Sequence, residues 1–384
     1  MSASPRIDGK IPFHRPFIAP STPQALARAL ASGALVGGGS FTAACHALLL
    51  REPPGGTPFL TTSCTDALEM AALLLRLEPG DEVVMPAWTF PSTANAVALR
   101  GAIPVFVDVD PGTLNLDPGR AAAAIGPRTR AVFCVHYAGV GCDMDALASL
   151  CAGANLTLVE DAAQGYGARW RDRALGGIGD IGTYSFHGTK NVGCGEGGAL
   201  IVNRPELVAL AEMIWEKGTD RLRNRRGETP HYEWCELGSS FVPSELTAAM
   251  LAEQLAAEKI VTRARRAAWD RYHALLTTAS ADGLLRLPEV PEAAYHNGHI
   301  FAVRLRDAQR RTGILAHLAE RGIEARTHYR ALHRSPAGRA CGLTRGALPV
   351  TEAAEAELIR LPLDGEITAP EQERVVQVLL DGLR

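Results

Sequence analysis

The chain of 384 residues has no apolar run long enough to span a bilayer as a helix, which excludes a helical membrane protein. Its first ten residues, Met1 to Lys10, lack an apolar signal core and read as a loose start, so the expected location is the cytoplasm. A net charge of −3 gives no electrostatic reason to expect nucleic acid or an anionic membrane as partner. Nothing basic and helical precedes residue 20, where a DNA-binding element would show. The eight cysteines are scattered and form no C-x-x-C pair, so reduced thiols are expected, with neither a disulfide framework nor a zinc site. There is no repeat of fixed period and no low-complexity segment.

What remains is ordinary globular material: 47% hydrophobic and 21% charged residues, enough for one large domain and a smaller one. Short apolar runs at 82–85, 105–108, 131–136, 156–159, 182–186 and 199–203 read as strands. Patterns at 66–75, 92–99, 119–125, 144–151 and 205–215 read as helices. That β-α alternation argues for a mostly parallel sheet covered on both faces. Thr22 and Pro23 open an earlier helix, with the threonine as its cap, and Gly37-Gly38-Gly39 breaks the chain before another at 41–50. Residues 243–277 form one long helix or two. The tail then alternates strands at 301–305 and 323–327 with helices at 313–321, 352–358 and 371–383. The domains expected are 1–245, with an N-terminal arm, and 246–384, with a linker helix.

Two segments carry chemistry. Val159-Glu160-Asp161-Ala162-Ala163-Gln164-Gly165 ends a buried strand with carboxylates at the carboxyl edge of the sheet, where ligands bind in open α/β folds. Tyr184-Ser185-Phe186-His187-Gly188-Thr189-Lys190-Asn191 ends a second strand with a lysine in a polar turn. An amine and an acid so placed suit pyridoxal phosphate. Lys190 can form a Schiff base with its aldehyde, and Asp161 can keep its pyridine nitrogen protonated. Upstream, Thr62-Ser63-Cys64-Thr65 opens a helix. Free N–H groups and the helix dipole there favour a phosphate, although hydroxyls are also common as plain caps. Phe90 follows a strand end, and its ring could equally belong to the core. The densest basic stretch, from Glu216 to Gly227, carries glycines rather than helical spacing, and is either a solvated face or a loop for a diphosphate. The histidines of the small domain lack metal-site spacing. His187 reads as a structural hydrogen-bonding residue.

Asp-Ala-Ala-Gln, with Ser-Phe-His-x-Thr-Lys-Asn about twenty residues further on, resembles the DegT/DnrJ/EryC1/StrS sugar aminotransferases, and the likeness runs over nearly the whole chain. It is strongest toward the members that aminate C4 of a dTDP-4-keto-6-deoxyhexose. The resemblance implies the type I aminotransferase fold, pyridoxal phosphate, glutamate as donor, and a nucleotide-linked keto sugar as acceptor. The nominal conversion is dTDP-4-dehydro-6-deoxyglucose to dTDP-4-amino-4,6-dideoxygalactose. It also implies a homodimer with shared active sites. By the same likeness Cys64, Thr65 and Ser185 contact the cofactor phosphate, Phe90 stacks on the ring, and Gln164 bonds the ring hydroxyl. Lys217, Arg221 and Arg226 match substrate-binding positions. Ser240 stands where most members have an asparagine that reaches the partner's cofactor phosphate, and its reach is shorter.

Three other readings compete. Relatives that remove a sugar hydroxyl replace the lysine by histidine, and Lys190 speaks against that activity. A non-catalytic regulator that binds pyridoxal phosphate would usually carry a DNA-binding domain. A plain binding protein leaves the grouping of Asp161, Gln164, Ser185 and Lys190 unexplained. Within the family, a UDP- or GDP-linked sugar or amination at C3 is an alternative.

Overall fold

The structure is a computed structural model that describes residues 9–51 and 56–384. Seven strands make up most of the main sheet: β1 (Thr57–Thr61), β2 (Glu82–Pro86), β3 (Ile103–Val107), β4 (Thr129–Val135), β5 (Thr157–Asp161), β6 (Ile181–Ser185) and β7 (Gly198–Val202). The spatial order is β1-β7-β6-β5-β4-β2-β3, with Leu343–Thr344 as an eighth, outer strand. From β6 to that outer strand every pairing is parallel, and β7 runs antiparallel to both neighbours. The sheet is therefore mostly parallel, as the β-α alternation predicts.

Successive side chains of a strand point to opposite faces. Val84, Val132, Cys134 and Leu158 accordingly pack into one apolar core, and Val83, Ala131, Phe133 and Val159 into another on the opposite face. Helices cover both. Burial on two sides explains why these strands are apolar without alternation.

A second, antiparallel sheet follows, made of β8 (Leu285–Arg286), β9 (Ala302–Leu305) and β10 (Leu358–Arg360) in that order. Phe301, Val303, Leu305 and Ile359 join Tyr272 and Leu276 of helix Glu258–Ala281, and Val375 and Leu379 of helix Ala369–Leu383, in a separate core.

Several local expectations are corrected. Residue 21 occupies the N-cap position of helix Thr22–Ser32, so Thr22 already lies inside it. Residues 243–277 hold two helices, Glu245–Ala256 and Glu258–Ala281. No strand forms at 323–327; Ile323 bridges Ile11 and Arg326 bridges Arg360, each singly. The basic stretch contains a short helix, Arg221–Arg225. The triple glycine is a close approach of backbone to the chain itself. A Cβ at Gly37 would stand 1.9 Å from the Pro243 carbonyl oxygen, and the Gly39 N–H donates to Glu245 at 3.1 Å.

One buried carboxylate ties the sheet to a neighbouring loop. Glu160 is fully buried and accepts N–H bonds from Gly176 (2.8 Å), Ile178 (2.5 Å) and Gly179 (2.6 Å). His136 adds a fourth contact at 2.9 Å. Burial pushes the Glu160 carboxyl up, but His136 and the Gly179 and Gly176 N–H groups outweigh it, leaving its pKa below the ordinary carboxylate value. Gly182 of β6 permits the loop's approach, because a Cβ there would meet the Gly176 carbonyl oxygen at 1.9 Å.

Glu160→Gln sets an amide N–H against one of these donors. We expect a loss of about 2–4 kcal/mol in urea unfolding at neutral pH. With a depressed folded pKa, the carboxylate's contribution is present above the unfolded value of about 4.3 and disappears as pH falls through the lower folded value. The variant should lack that acid-sensitive component.

Candidate active site

Asp161 is the last residue of β5 and is 4% exposed. Its Oδ2 accepts from the Thr93 hydroxyl at 2.7 Å and its Oδ1 from the Ala163 N–H at 3.1 Å. Thr93 sits in helix Pro91–Ala98, one turn beyond Thr89, whose hydroxyl is 2.8 Å away. The carboxylate is thus anchored from two elements before any ligand arrives.

Lys190 closes the turn that follows β6, its own N–H donating to the His187 carbonyl at 2.8 Å. His187 braces that turn, since its Nδ1 accepts from the Thr189 N–H (3.1 Å) and lies 2.8 Å from the Thr189 hydroxyl. Burial lowers the Lys190 pKa, with Asp161 opposing the shift and Arg360 adding to it.

The anion end of the site lies at helix Cys64–Leu74. Ser63 caps it by accepting from the Asp66 N–H at 3.1 Å, which leaves the first-turn N–H groups of Cys64 and Thr65 directed outward. The Thr65 and Ser92 hydroxyls are 2.7 Å apart, so two elements present hydroxyls together. Burial pushes the Cys64 thiol up, keeping it neutral.

Cys64, Thr65, Phe90, Asp161, Gln164, Ser185 and Lys190 all line one cavity of ≈770 Å³. Phe90 precedes helix Pro91–Ala98 and is 58% exposed, so it is no core aromatic and offers a ring to the cavity. Gln164 is fixed at both ends: its Oε1 accepts from the Ala138 N–H (2.7 Å) and its Nε2 donates to the Tyr329 hydroxyl (2.6 Å). This set fits pyridoxal phosphate group by group: a helix start with hydroxyls for phosphate, a ring for stacking, a carboxylate, an amide and an amine.

The remaining sequence candidates are not brought to this lining. Ser240 forms an isolated bridge with Glu216. Lys217 pairs with Glu216 at 3.4 Å, and Arg226 clasps Glu212 at 2.7 and 2.9 Å and Glu228 at 2.6 Å. Arg221 begins the short helix and faces the Tyr232 ring at 5.9 Å.

Residues without any local signal complete the wall. His299 lies 2.9 Å from the Asn191 amide oxygen, and His328 lies 2.7 Å from the Tyr137 hydroxyl and stacks on Tyr329 at 3.7 Å. Burial holds both imidazoles well below the ordinary histidine pKa, so they are neutral at pH 7. Arg326 and Arg360 also face the cavity, with the Phe13 ring 4.8 and 4.9 Å from them. Arg326 is neutralised by Glu324 at 3.0 Å. Arg360 has no carboxylate partner among the described residues, and burial lowers its pKa. A cation–π contact returns about 1 kcal/mol, less than a guanidinium loses when drawn from water without a counter-ion.

Elsewhere, ligand atoms of Cys134, His136 and Cys142 lie within 4.8 Å of one another. The His136 nitrogens are already engaged there, Nε2 with Glu160 and Nδ1 as acceptor of the Cys142 N–H at 3.2 Å, so the imidazole has no lone pair left for a metal.

The model of the DegT/DnrJ/EryC1/StrS aminotransferase family matches residues 57–380. A pleiotropic regulatory protein of Geobacillus stearothermophilus is 35% identical over 322 residues, 83% of each chain. The crystal structure of the aminotransferase TlmJ from Streptoalloteichus hindustanus superposes with a TM-score of 0.89 at 32% identity, covering 98% of this chain and 99% of that one. DesV of S. venezuelae, solved in complex with a ketimine intermediate, gives a TM-score of 0.86 at 31% identity with the same coverage.

Lys190 is one of four lysines, with Lys10, Lys217 and Lys259. Competitive acetylation of the cofactor-free protein, read by peptide mass, should show Lys190 titrating below the ordinary lysine value of about 10.4. A midpoint at that value would remove the burial argument.

Proposed function

The chain belongs to the DegT/DnrJ/EryC1/StrS aminotransferase family, pyridoxal-phosphate-dependent sugar aminotransferases of the type I fold, and we propose its substrate and the roles of its residues. Its acceptor is a nucleotide-linked 4-keto-6-deoxyhexose, dTDP-4-dehydro-6-deoxyglucose, aminated at C4 by glutamate to give dTDP-4-amino-4,6-dideoxygalactose. The observation that carries the assignment of roles is the convergence of Lys190, Asp161 and the Cys64–Thr65 helix start on one cavity. The choice of sugar and nucleotide rests on the resemblance of the chain to that branch of the family.

Bound pyridoxal phosphate supplies an aldehyde that captures amines and a ring that takes up an electron pair. With the cofactor bound, Lys190 Nζ would hold its aldehyde and, when free, would act as the base that moves the substrate proton. Its lowered pKa leaves more of the amine as free base at neutral pH, as both tasks require. Asp161 holds the proton on the ring nitrogen, and the Thr93 hydroxyl and Ala163 N–H keep its carboxylate turned to that task. Thr65, Ser185 and the N–H groups at Cys64 hold the phosphate. Phe90 covers the ring and excludes water, and Gln164 orients the ring hydroxyl.

Ser240, Lys217, Arg221 and Arg226 lie off the cavity, beside the exposed Tyr232, Trp234 and Leu237. This favours a homodimer in which that segment of one protomer completes the site of its partner and receives the nucleotide diphosphate. The cytoplasm is the proposed location.

The name of the Geobacillus relative favours a second reading, a regulator that binds pyridoxal phosphate without turnover. Incubation with glutamate and a panel of dTDP-, UDP- and GDP-linked 4-keto sugars, scored by product mass and NMR, separates the two. We expect a 4-amino product from the dTDP sugar. Turnover of a UDP- or GDP-sugar instead would move the assignment within the family, and no product from any sugar would favour the regulator. Lys190→Ala should lower turnover on the order of 10³-fold or more and abolish the borohydride-trapped adduct. Activity within about tenfold of wild type would overturn the role of this amine.

A further inference from the structure

Gln164 and Lys190 both lie beyond the last paired residues of their strands, Asp161 of β5 and Ser185 of β6. The sheet ladder therefore does not set the distance between them. Asn297 does. It is 1% exposed and belongs to the segment that leads into β9. Its Nδ2 donates to the Gln164 carbonyl at 2.8 Å and to the Tyr166 carbonyl at 2.9 Å. Its Oδ1 accepts from the His299 N–H at 3.0 Å. Its backbone carbonyl accepts from the Asn191 Nδ2 at 2.9 Å, and Asn191 is the neighbour of Lys190. The Asn191 amide is held at its other end too, with its Oδ1 2.9 Å from His299 Nδ1. Asn297 also packs on the turn that grips the Gln164 side chain. A Cβ at Gly139, where φ is +78°, would stand 1.8 Å from the Asn297 Oδ1, and the N–H of the preceding Ala138 donates to the Gln164 Oε1. On its far side the segment is tied to helix Glu258–Ala281, because Arg265 donates to the Gly298 carbonyl at 3.1 Å and to the His299 carbonyl at 2.8 Å.

We propose that Asn297 is a positioning residue which, through Asn191, matches the span between the Lys190 amine and the Gln164 amide to the span between the aldehyde and the ring hydroxyl of pyridoxal phosphate. This rests on the residue roles given above and adds to them a group outside the cavity lining. The aldehyde and the hydroxyl sit on neighbouring ring carbons, so the two side chains must meet them together. Each comes from a different loop, and a displacement on the order of 1 Å between loops is enough to spoil such an alignment. A buried amide with both N–H donors and its oxygen engaged resists that displacement, because any movement leaves a carbonyl unsatisfied. Being neutral, the bridge holds the loops without adding a charge beside Lys190 and Asp161.

A role in positioning differs from a role in folding by its dependence on the ring hydroxyl. Pyridoxal phosphate and 3-deoxypyridoxal phosphate, the same molecule without that hydroxyl, are titrated by absorbance into the full-length protein freed of cofactor. Wild type is compared with Asn297→Ala, Asn191→Ala and Gln372→Ala. Gln372 is the control, an amide also 1% exposed, whose Nε2 donates to the Ala268 carbonyl at 2.6 Å and which does not line the cavity. We expect wild type to prefer pyridoxal phosphate on the order of tenfold, the value of one hydrogen bond. Asn297→Ala should bring the preference to within about twofold, and Asn191→Ala should reduce it about threefold or more. Gln372→Ala should melt at lower temperature and keep the wild-type preference. Should melting show that Asn297→Ala does not fold, Asn191→Ala decides alone. A wild-type preference retained in the deciding variant, no preference in wild type, or an equal loss in Gln372→Ala would each overturn the proposal. Borohydride trapping of pyridoxal phosphate on Lys190 in wild type tests the aminotransferase roles separately, and none of these outcomes alters it.

Discussion

Glu160 is clasped by three backbone N–H groups of the 176–179 loop and by His136, and the rest of the site is built on that clasp. Four contacts to one buried carboxylate set the position of β5 against β4, β6 and the loop beneath them. Asp161 is the next residue along the strand. The pleat turns its side chain the other way, toward the cavity, where Thr93 and Ala163 receive it. One strand thus carries a structural charge and a chemical charge side by side without their facing each other. A slip of one residue would exchange the two and lose both, which is the penalty that holds register in a two-sided sheet.

Around Asp161 the cavity is arranged by desolvation. The same burial lowers Lys190 toward the free amine and keeps His299 and His328 uncharged, and Arg360 has no carboxylate partner among the described residues. Cations, carboxylates and neutral rings share the wall, with Glu324 paired to Arg326. Hydrogen-bond anchors at Gln164, Thr93 and His187 fix the side chains that must not move. The helix start at Cys64 adds partial positive charge at the far end. Such a wall suits a ligand with several anionic and polar groups, each meeting its own partner.

Much of this could be read along the chain because it depends on neighbours in sequence. The apolar strands, the hydroxyl cluster before a helix and the lysine turn after β6 all follow from near-neighbour patterns. Asp161 and Lys190 were legible from the residues as an acid and an amine at strand ends, and Gln164 and Ser185 joined them through the resemblance to the aminotransferase family. Where local pattern misled, tertiary contact was the reason. Residues 323–327 look like a strand, yet only Ile323 and Arg326 find bridging partners. Gly37 looks like a plain turn until Pro243 is seen against it. Phe90 could have been core, and the packing left it exposed.

The amino-acid order alone determined the layered α/β class, the acid and amine at adjoining strand ends, and the helix start that welcomes an anion. These are set by pleat, helical period and capping, all of which act within a few residues. Tertiary structure alone decided which groups steady them. Thr93 reaches Asp161 across 68 positions and Tyr329 reaches Gln164 across 165. It also decided that Arg326 has a carboxylate and that Arg360, among the described residues, has none, and that the basic segment near Arg226 turns to Glu212 and away from the cavity. Ion pairing and desolvation depend on what the folded chain brings within a few ångströms, and no local pattern of residues encodes that distance.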